Sequence, residues 1–191
     1  MSEKIDIILS AFLGNYGAKL HVRQIARMVD MNRQTVSETL KKMEDSRVVD
    51  SETEGRNKLY FINSKSSKAK ILLQNAENRK KLDICEKSPV LSRLVHYADS
   101  SSVILLFGSY AKGSERKDSD IDIIVINGRK NDFDAFEKET GKAVQAFEMS
   151  EKKFLERFLK KDHLVVEAAK NHVCLKNAER FVDIMWRANY G

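Results

Sequence analysis

Residue types that mark secreted, membrane-spanning or linker-rich proteins are scarce in this chain of 191 residues. A single proline argues against a proline-rich linker. The two cysteines, Cys85 and Cys174, lie far apart and form no CxxC motif, so we expect free thiols in a reducing cytoplasm. The longest stretch without Asp, Glu, Lys or Arg, residues 100–111, is too short for a membrane span of about 20 residues. No apolar signal core follows the N-terminus, and we expect a cytoplasmic protein without a membrane partner.

Basic residues outnumber acidic ones by 34 to 28, which gives a formal net charge of +6. Residues 1–62 carry 10 basic and 9 acidic side chains, and residues 103–191 carry 16 and 15. The excess therefore lies in residues 63–102, with 8 basic and 4 acidic side chains. A basic chain suggests a nucleic-acid partner, but these counts mean that DNA binding must depend on local features.

The spacing of apolar residues divides the chain into three parts. Residues 1–63 show three helical patterns and then two short apolar β segments around the polar residues 50–57, which we interpret as a hairpin with a long loop. Residues 64–99 are predicted to be a helical connector. Residues 100–191 alternate between strand and helix, as in an α/β domain. We therefore predict an α+β protein made of two small domains and a connector.

The segment HVRQIARMVDMNRQTVSETLKKMEDSRVV holds two helical patterns separated by a short turn. With the helix before it and the hairpin after it, the segment resembles the winged helix-turn-helix of DNA-binding proteins. In that family the third helix lies in the major groove and the wing touches the DNA backbone. The resemblance implies contacts with double-stranded DNA from four residues of the third helix and two of the hairpin tip: Arg33, Gln34, Ser37, Lys41, Arg56 and Lys58.

Two other interpretations of this surface stay open. The same polar residues fit a solvated helix face, and the same fold also docks proteins. Acidic Glu38, Glu52 and Glu54 dilute the positive charge, so the affinity of one copy for DNA should be modest. We expect a homodimer, because pairing two half-sites roughly doubles the phosphate contacts.

The chemistry is predicted in residues 108–122, which read GSYAKGSERKDSDID and lie between two apolar strands. This G-S-x3-G-x5-S-D-x-D pattern resembles the nucleotidyltransferase superfamily related to DNA polymerase β, in particular its small minimal members. A lone Gly-Ser turn or a lone Asp-x-Asp would fit a plain turn or an acidic strand end. The agreement of glycines, carboxylates and flanking strands favours the superfamily, whose fold has a mixed sheet.

The resemblance implies a nucleoside triphosphate, with ATP as the expected one, and Mg²⁺. Gly108 lets the backbone approach phosphate closely, and Ser109 can donate a hydrogen bond at a helix start. We add Gly113 and Ser119 as nucleotide-binding residues. Asp120 and Asp122 are the predicted catalytic and metal-binding residues, because side chains two apart on a strand share one face. Together their repelling carboxylates can hold one or two metal ions.

Family members usually carry a third carboxylate on a later strand, here predicted over residues 143–149. The register that we favour places Gln145 at that position and points Glu148 to the opposite face. Gln145 cannot act as a base or carry charge, although a β-bulge would be able to rotate Glu148 into the site.

Three functions remain open. The first is an NTP- and Mg²⁺-dependent enzyme that moves a nucleoside monophosphate onto a hydroxyl, coupled to a DNA-binding winged helix. The second, motivated by Gln145, is a transcriptional regulator whose nucleotidyltransferase domain binds a nucleotide with little or no turnover. The third is an antitoxin-like domain that acts on a protein partner. The acceptor, the preferred base and the operator do not follow from the sequence.

Overall fold

A computed structural model describes residues 2–191, so Met1, where the predicted winged helix begins, lies outside the described residues. The chain divides into two compact units. Unit 1 contains the residues up to Ala76 together with Met185–Gly191, and unit 2 contains Glu77–Ile184. The division falls inside a long helix instead of at the ends of the predicted connector. Buried side chains occur in both parts of that helix, with Leu73 in unit 1 and Ile84 in unit 2.

Unit 1 contains three helices and three short strands before this long helix. In chain order they are α1 (Ser2–Ser10), β1 (Leu20–His21), α2 (Val22–Met28), α3 (Arg33–Asp45), β2 (Val49–Glu54) and β3 (Asn57–Ile62). The strands form an antiparallel sheet in the order β1-β3-β2. Ile8, Phe12, Ile25 and Leu40 are fully buried and form part of the core.

Side-chain caps fix where α2 and α3 begin. The His21 Nδ1 accepts a hydrogen bond from the Gln24 backbone N–H at 3.1 Å, and the Gln24 side chain accepts one from the His21 N–H. The Asn32 side chain accepts a hydrogen bond from the Gln34 N–H at 2.8 Å. Such caps satisfy N–H groups that have no partner inside the helix.

The predicted loop at residues 50–57 is wrong. Both strands continue almost to the tip of the hairpin, and only Gly55 and Arg56 connect them. The side chains near the tip are exposed on both faces, so the alternation that marks a half-buried strand is absent there. Lys58 therefore lies within β3, opposite Thr53, instead of at the tip.

Unit 2 is built around a four-stranded sheet. Its elements are the end of α4 (Ser67–Lys87), then α5 (Pro89–Leu94), β4 (Val103–Leu106), α6 (Gly108–Lys112), β5 (Ile121–Ile126), a 3-10 turn (Lys130–Phe133), α7 (Asp134–Thr140), β6 (Val144–Met149), α8 (Glu151–Leu159), α9 (His163–Asn171), β7 (Val173–Lys176) and the start of α10 (Ala178–Tyr190). The strand order is β6-β5-β4-β7. Strands β5 and β6 are parallel, and the other pairs are antiparallel. The predicted mixed sheet is confirmed.

Both faces of this sheet are covered by apolar side chains. Ile104, Ile123 and Val125 pack with residues of α5 and α7 on one face, and Leu105 and Ile124 belong to the other face. All the side chains of β4 are fully buried. The two central strands therefore form a rigid base, and the residues that follow β4 and precede β5 are held at one end of it.

A buried polar cluster lies in unit 2 beside the start of β7. Glu77 of α4 and His172 are fully buried, and Glu77 Oε1 lies 2.8 Å from His172 Nε2. The other ring nitrogen of His172 donates to the Ala169 carbonyl at 2.6 Å. Lys80 donates to the His172 carbonyl, and burial lowers the pKa of Lys80. Most of the polar groups in this cluster thus have partners within the fold.

The two cysteines are free thiols, as predicted. Cys174 is completely buried in β7, and burial raises the pKa of its thiol. Among the described helices, none combines the length and apolar character that a membrane crossing requires.

Candidate active site

The predicted motif lies where β4 ends and β5 begins. These strands are antiparallel neighbours, with Leu106 opposite Ile123, and the Phe107 N–H donates to the Asp122 carbonyl at 3.0 Å. The Gly-Ser turn after β4 is therefore beside the first residues of β5. The sheet register alone brings together two parts of the motif that are more than ten residues apart in the chain.

Gly108 makes this approach possible. Its φ of +70° is in the left-handed region that glycine tolerates best. In addition, a Cβ atom at this position would overlap the Asp122 Oδ2 atom. The sequence predicted that Gly108 leaves room for phosphate, whereas the structure shows that it leaves room for the Asp122 carboxylate. Larger residues at position 108 would displace this carboxylate.

The segment after Gly108 forms the single-turn helix α6 and then a loop. Gly113 ends the helix in a left-handed conformation, and the Ser114 N–H donates to the Ser109 carbonyl at 3.0 Å. The Ser109 side chain is half-buried, and its hydroxyl has no hydrogen-bond partner among the described residues. This hydroxyl can therefore donate to a ligand at the site.

Ser119 has a structural role in the loop. Its hydroxyl accepts a hydrogen bond from the Arg116 N–H at 2.8 Å, and its own N–H donates to the Arg116 carbonyl at 3.0 Å. The Lys142 ammonium donates to the Lys117 carbonyl at 2.6 Å and ties the same loop to the residues before β6. These bonds place Asp120 and Asp122 next to the Gly-Ser turn.

The carboxylates of Asp120 and Asp122 are close enough to repel each other, and no described cationic side chain compensates their negative charge. Asp120 is exposed, and Asp122 is partly buried. Burial, and secondly the charge of Asp120, raises the pKa of Asp122 above its usual value of 3.8. Among the described residues, no cationic side chain forms an ion pair with Asp122 or lowers its pKa. Two converging carboxylates without an internal cation are chemically suited to hold a divalent metal ion.

Strand β6 places an amide beside these carboxylates. In the parallel ladder of β5 and β6, Gln145 is paired with Asp122, so their side chains share a face. The ladder is regular from Val144 to Met149 and contains no bulge. Glu148 therefore points to the opposite face, where its Oε2 accepts a hydrogen bond from the Lys130 N–H at 2.9 Å. The predicted register of Gln145 and Glu148 is confirmed.

A family model described as "Polymerase beta, Nucleotidyltransferase" matches residues 92–177. This segment is similar to the nucleotidyltransferase domain of that family. The matched residues include all four strands of the unit 2 sheet and the whole Gly-Ser and Asp-x-Asp motif. No curated protein and no solved structure matches the chain significantly.

Unit 2 has further residues near the motif that the sequence did not predict as part of the site. The rings of Phe107 and Phe147 lie 5.9 Å apart. Phe107 follows β4 and is hydrogen-bonded to Asp122 through its backbone N–H, and Phe147 lies on β6 two residues after Gln145. Phe147 is two residues after Gln145, so the two-residue period of a strand was the available signal. Lys112 of α6 forms an ion pair with Glu167 of α9 at 3.3 Å, and this pair had no sequence signal.

The predicted DNA contacts belong to unit 1. Arg33, Gln34, Ser37 and Lys41 are exposed on α3, and Arg56 is exposed in the hairpin turn. The Gln34 side chain donates to Glu38 Oε1 at 3.0 Å. These positions form a polar surface on α3, as expected from the apolar stripe on its other side.

Lys58 differs from the other predicted contacts because its charge is already paired. Its ammonium lies 2.7 Å from Glu44 Oε2 and 5.0 Å from the centre of the Tyr60 ring. The hydrogen bond to Glu44 raises the pKa of Lys58, and the same bond, with a second from Ser51, lowers the pKa of Glu44. The positive charge of Lys58 is thus compensated by a carboxylate within unit 1.

Proposed function

We propose that unit 2 is a nucleotidyltransferase domain that transfers a nucleoside monophosphate from a triphosphate, with ATP the expected donor, to a hydroxyl group of an acceptor. The observation that carries this proposal is the Asp122 carboxylate seated against Gly108, beside Asp120 and without an internal cation. Such a site gains most from a ligand that brings a divalent cation together with phosphate oxygens.

Asp120 and Asp122 would hold Mg²⁺ in this reaction. When bound, the ion supplies charge neutralisation at the phosphate oxygens and activation of the attacking hydroxyl. The acceptor oxygen forms a bond to the α-phosphorus, the bond to the pyrophosphate oxygen breaks, and the hydroxyl proton passes to solvent. The Ser109 hydroxyl, which has no partner among the described residues, donates to a phosphate oxygen.

Because Gln145 replaces a carboxylate, we expect a low rate of nucleotide transfer. It stands beside Asp122, where the family usually has a carboxylate, and a neutral amide neither attracts a cation strongly nor accepts the proton. The second candidate function follows from this observation: a regulator that binds the nucleotide at Asp120 and Asp122 without transferring it. Isothermal titration with ATP and Mg²⁺ measures nucleotide binding, and a pyrophosphate assay with a cell extract as the source of acceptors distinguishes the two, because the regulator binds without forming pyrophosphate.

The direct test uses labelled triphosphates, Mg²⁺ and a cell extract as the source of acceptors. Asp120→Asn should lower transfer by about 10²–10³-fold, since one of two metal-binding carboxylates is lost. Asp118→Asn is the matched control, because Asp118 is exposed in the same loop and lies outside the Asp-x-Asp motif. Equal transfer by the Asp120→Asn protein and the wild type would refute the assignment.

For unit 1 we propose a winged helix that binds double-stranded DNA. Support comes from the order of its elements, with α2 and α3 joined by a short turn and followed by a hairpin, and from the exposed polar face of α3. Because affinity per copy should be modest, we propose that a homodimer binds two half-sites. Sedimentation of the protein with and without duplex tests the dimer, and fluorescence anisotropy with Arg33→Ala tests the α3 surface.

A further inference from the structure

A basic groove, which we call the α2 groove, lies on the surface of unit 1 between α2 and the start of α3. Its volume is about 570 Å³. It is lined by the following residues: His21, Arg23, Gln24, Ala26, Arg27, Met31 and Arg33. The three arginines are exposed, and no carboxylate is among the described residues that line the groove. The groove is therefore a concentrated patch of positive charge within residues 1–62, a segment in which 10 basic side chains are nearly balanced by 9 acidic ones.

The arginines are also available for a ligand. None of the three guanidinium groups forms a hydrogen bond or an ion pair within the described chain. Arg23 and Arg27 are four residues apart, so they project from the same side of α2 with about 6 Å between them along the helix axis. Arg33, the first residue of α3, approaches the groove from the second helix. Planar guanidinium groups bind phosphate oxygens in a bidentate manner.

The cations of the wing, which is the hairpin of β2 and β3, are less available to a ligand than the arginines of the groove. Lys58 is paired with Glu44 at 2.7 Å, and Lys19, which precedes β1, is paired with Glu52 of the wing at 2.7 Å. Arg56 is the remaining cation of the hairpin turn, and Glu54 is beside that turn. An anion that bound at the wing would compete with these internal carboxylates. An anion in the α2 groove would meet no such competition.

We propose that Arg23, Arg27 and Arg33 form the principal phosphate-binding site of unit 1, and that the phosphodiester backbone of double-stranded DNA is its ligand. This proposal rests on the proposed DNA-binding function and moves the main backbone contacts from the wing to α2. A DNA strand fits better than a free phosphate ion because the groove extends over two helices. Through Arg33 it is also continuous with the exposed face that carries Gln34, Ser37 and Lys41.

The test measures binding of the full chain to a fluorescent duplex by anisotropy, at several salt concentrations between about 50 and 200 mM. The double variant Arg23→Ala/Arg27→Ala should bind roughly 10- to 100-fold more weakly, and its plot of log K against log salt should be about two units less steep. The loss should be similar for duplexes of unrelated sequence, because phosphate contacts carry no base information.

Two double variants serve as controls for this measurement. Lys152→Ala/Lys160→Ala removes the same charge from exposed positions of unit 2 and should retain the wild-type salt slope. Arg56→Ala/Lys58→Ala removes the wing cations and should have the smaller effect of the two unit 1 variants. Circular dichroism melting checks that Arg23→Ala/Arg27→Ala folds, which we expect because alanine favours helices and both positions are exposed.

The outcomes separate this proposal from the function on which it rests. If the wild type binds no duplex at the lowest salt, the DNA-binding function itself fails. If the wild type binds but Arg23→Ala/Arg27→Ala has the wild-type affinity and slope, only the α2 site is refuted. The site is likewise refuted if the wing variant loses more affinity, or if millimolar inorganic phosphate protects the arginines from phenylglyoxal and the duplex does not.

Discussion

Glu77 and Asp122 are both carboxylates withdrawn from water in unit 2, but their surroundings differ. Glu77 is completely buried and lies 2.8 Å from a ring nitrogen of His172. Asp122 is partly buried, faces the like charge of Asp120, and has a raised pKa. A buried charge with an internal partner stabilises the fold, whereas a charge without one, near the end of a central strand, indicates a site for an external ion.

The same contrast separates two basic surfaces of unit 1. Lys58 of the wing is held by Glu44, while Arg23 and Arg27 of the α2 groove have no partner among the described residues. From residue type alone, these cations would be expected to bind an anionic ligand equally well. They differ because Lys58 is paired with a carboxylate of the fold and the two arginines are not.

Removal of the Glu77 carboxylate should have the largest effect on stability. Glu77→Ala leaves the buried His172 ring without its partner and should lower the free energy of unfolding by about 3–5 kcal/mol. Asp122→Ala, which removes an unpaired carboxylate, should not lower the free energy of unfolding at neutral pH. Urea denaturation followed by circular dichroism measures both values, and equal losses would contradict the contrast between the two carboxylates.

A third carboxylate at the active site should have the next largest effect. Gln145→Glu places a negative charge on the face that it shares with Asp122 and should increase Mg²⁺ affinity by roughly tenfold or more. Transfer activity should rise with it if catalysis is limited by the missing charge. Glu148→Gln, on the opposite face of β6, is the control and should leave Mg²⁺ binding unchanged. Calorimetric titration with Mg²⁺ would contradict this prediction if both variants matched the wild type.

The unpaired charge of Asp122 predicts a smaller effect that depends on pH. Because the folded protein raises the pKa of this group, its contribution to stability is present below the ordinary pKa of 3.8 and is lost as the pH rises through the raised value. At neutral pH the ionised carboxylate therefore destabilises the metal-free protein. Asp122→Asn should raise the melting temperature by about 1–4 °C at pH 7 and should have no such effect near pH 3.

Mg²⁺ provides the matching control for this melting experiment. The ion should raise the melting temperature of the wild type at pH 7 by neutralising the two carboxylates, and Asp122→Asn should respond less. A lower melting temperature for metal-free Asp122→Asn than for the wild type would show that Asp122 has a stabilising partner in the fold.

Much of unit 2 was predictable because its signals are local. The buried strands around the motif follow from apolar runs and from the two-residue period of a strand. The mixed sheet and the position of Gln145 beside Asp122 were implied by the resemblance to the nucleotidyltransferase superfamily. The hairpin of unit 1 was predictable only in part. Its strands near Gly55 are exposed on both faces, so their composition resembles that of a loop. The extent of the strands depends on the backbone hydrogen bonds between β2 and β3, which leave no pattern in the side chains.

By itself, the sequence determined the order of helices and strands in unit 2. It also placed a Gly-Ser turn after one strand and the Asp-x-Asp motif at the start of the next, because hydrophobic period and glycine placement act over a few residues. Only the tertiary structure decided which charged groups are paired. Glu77 and His172 are 95 positions apart in the chain, and Lys58 of β3 forms an ion pair with Glu44 of α3. Electrostatic pairing depends on distance in space, so the free charges of Asp122, Arg23 and Arg27 became recognisable only once the chain had folded.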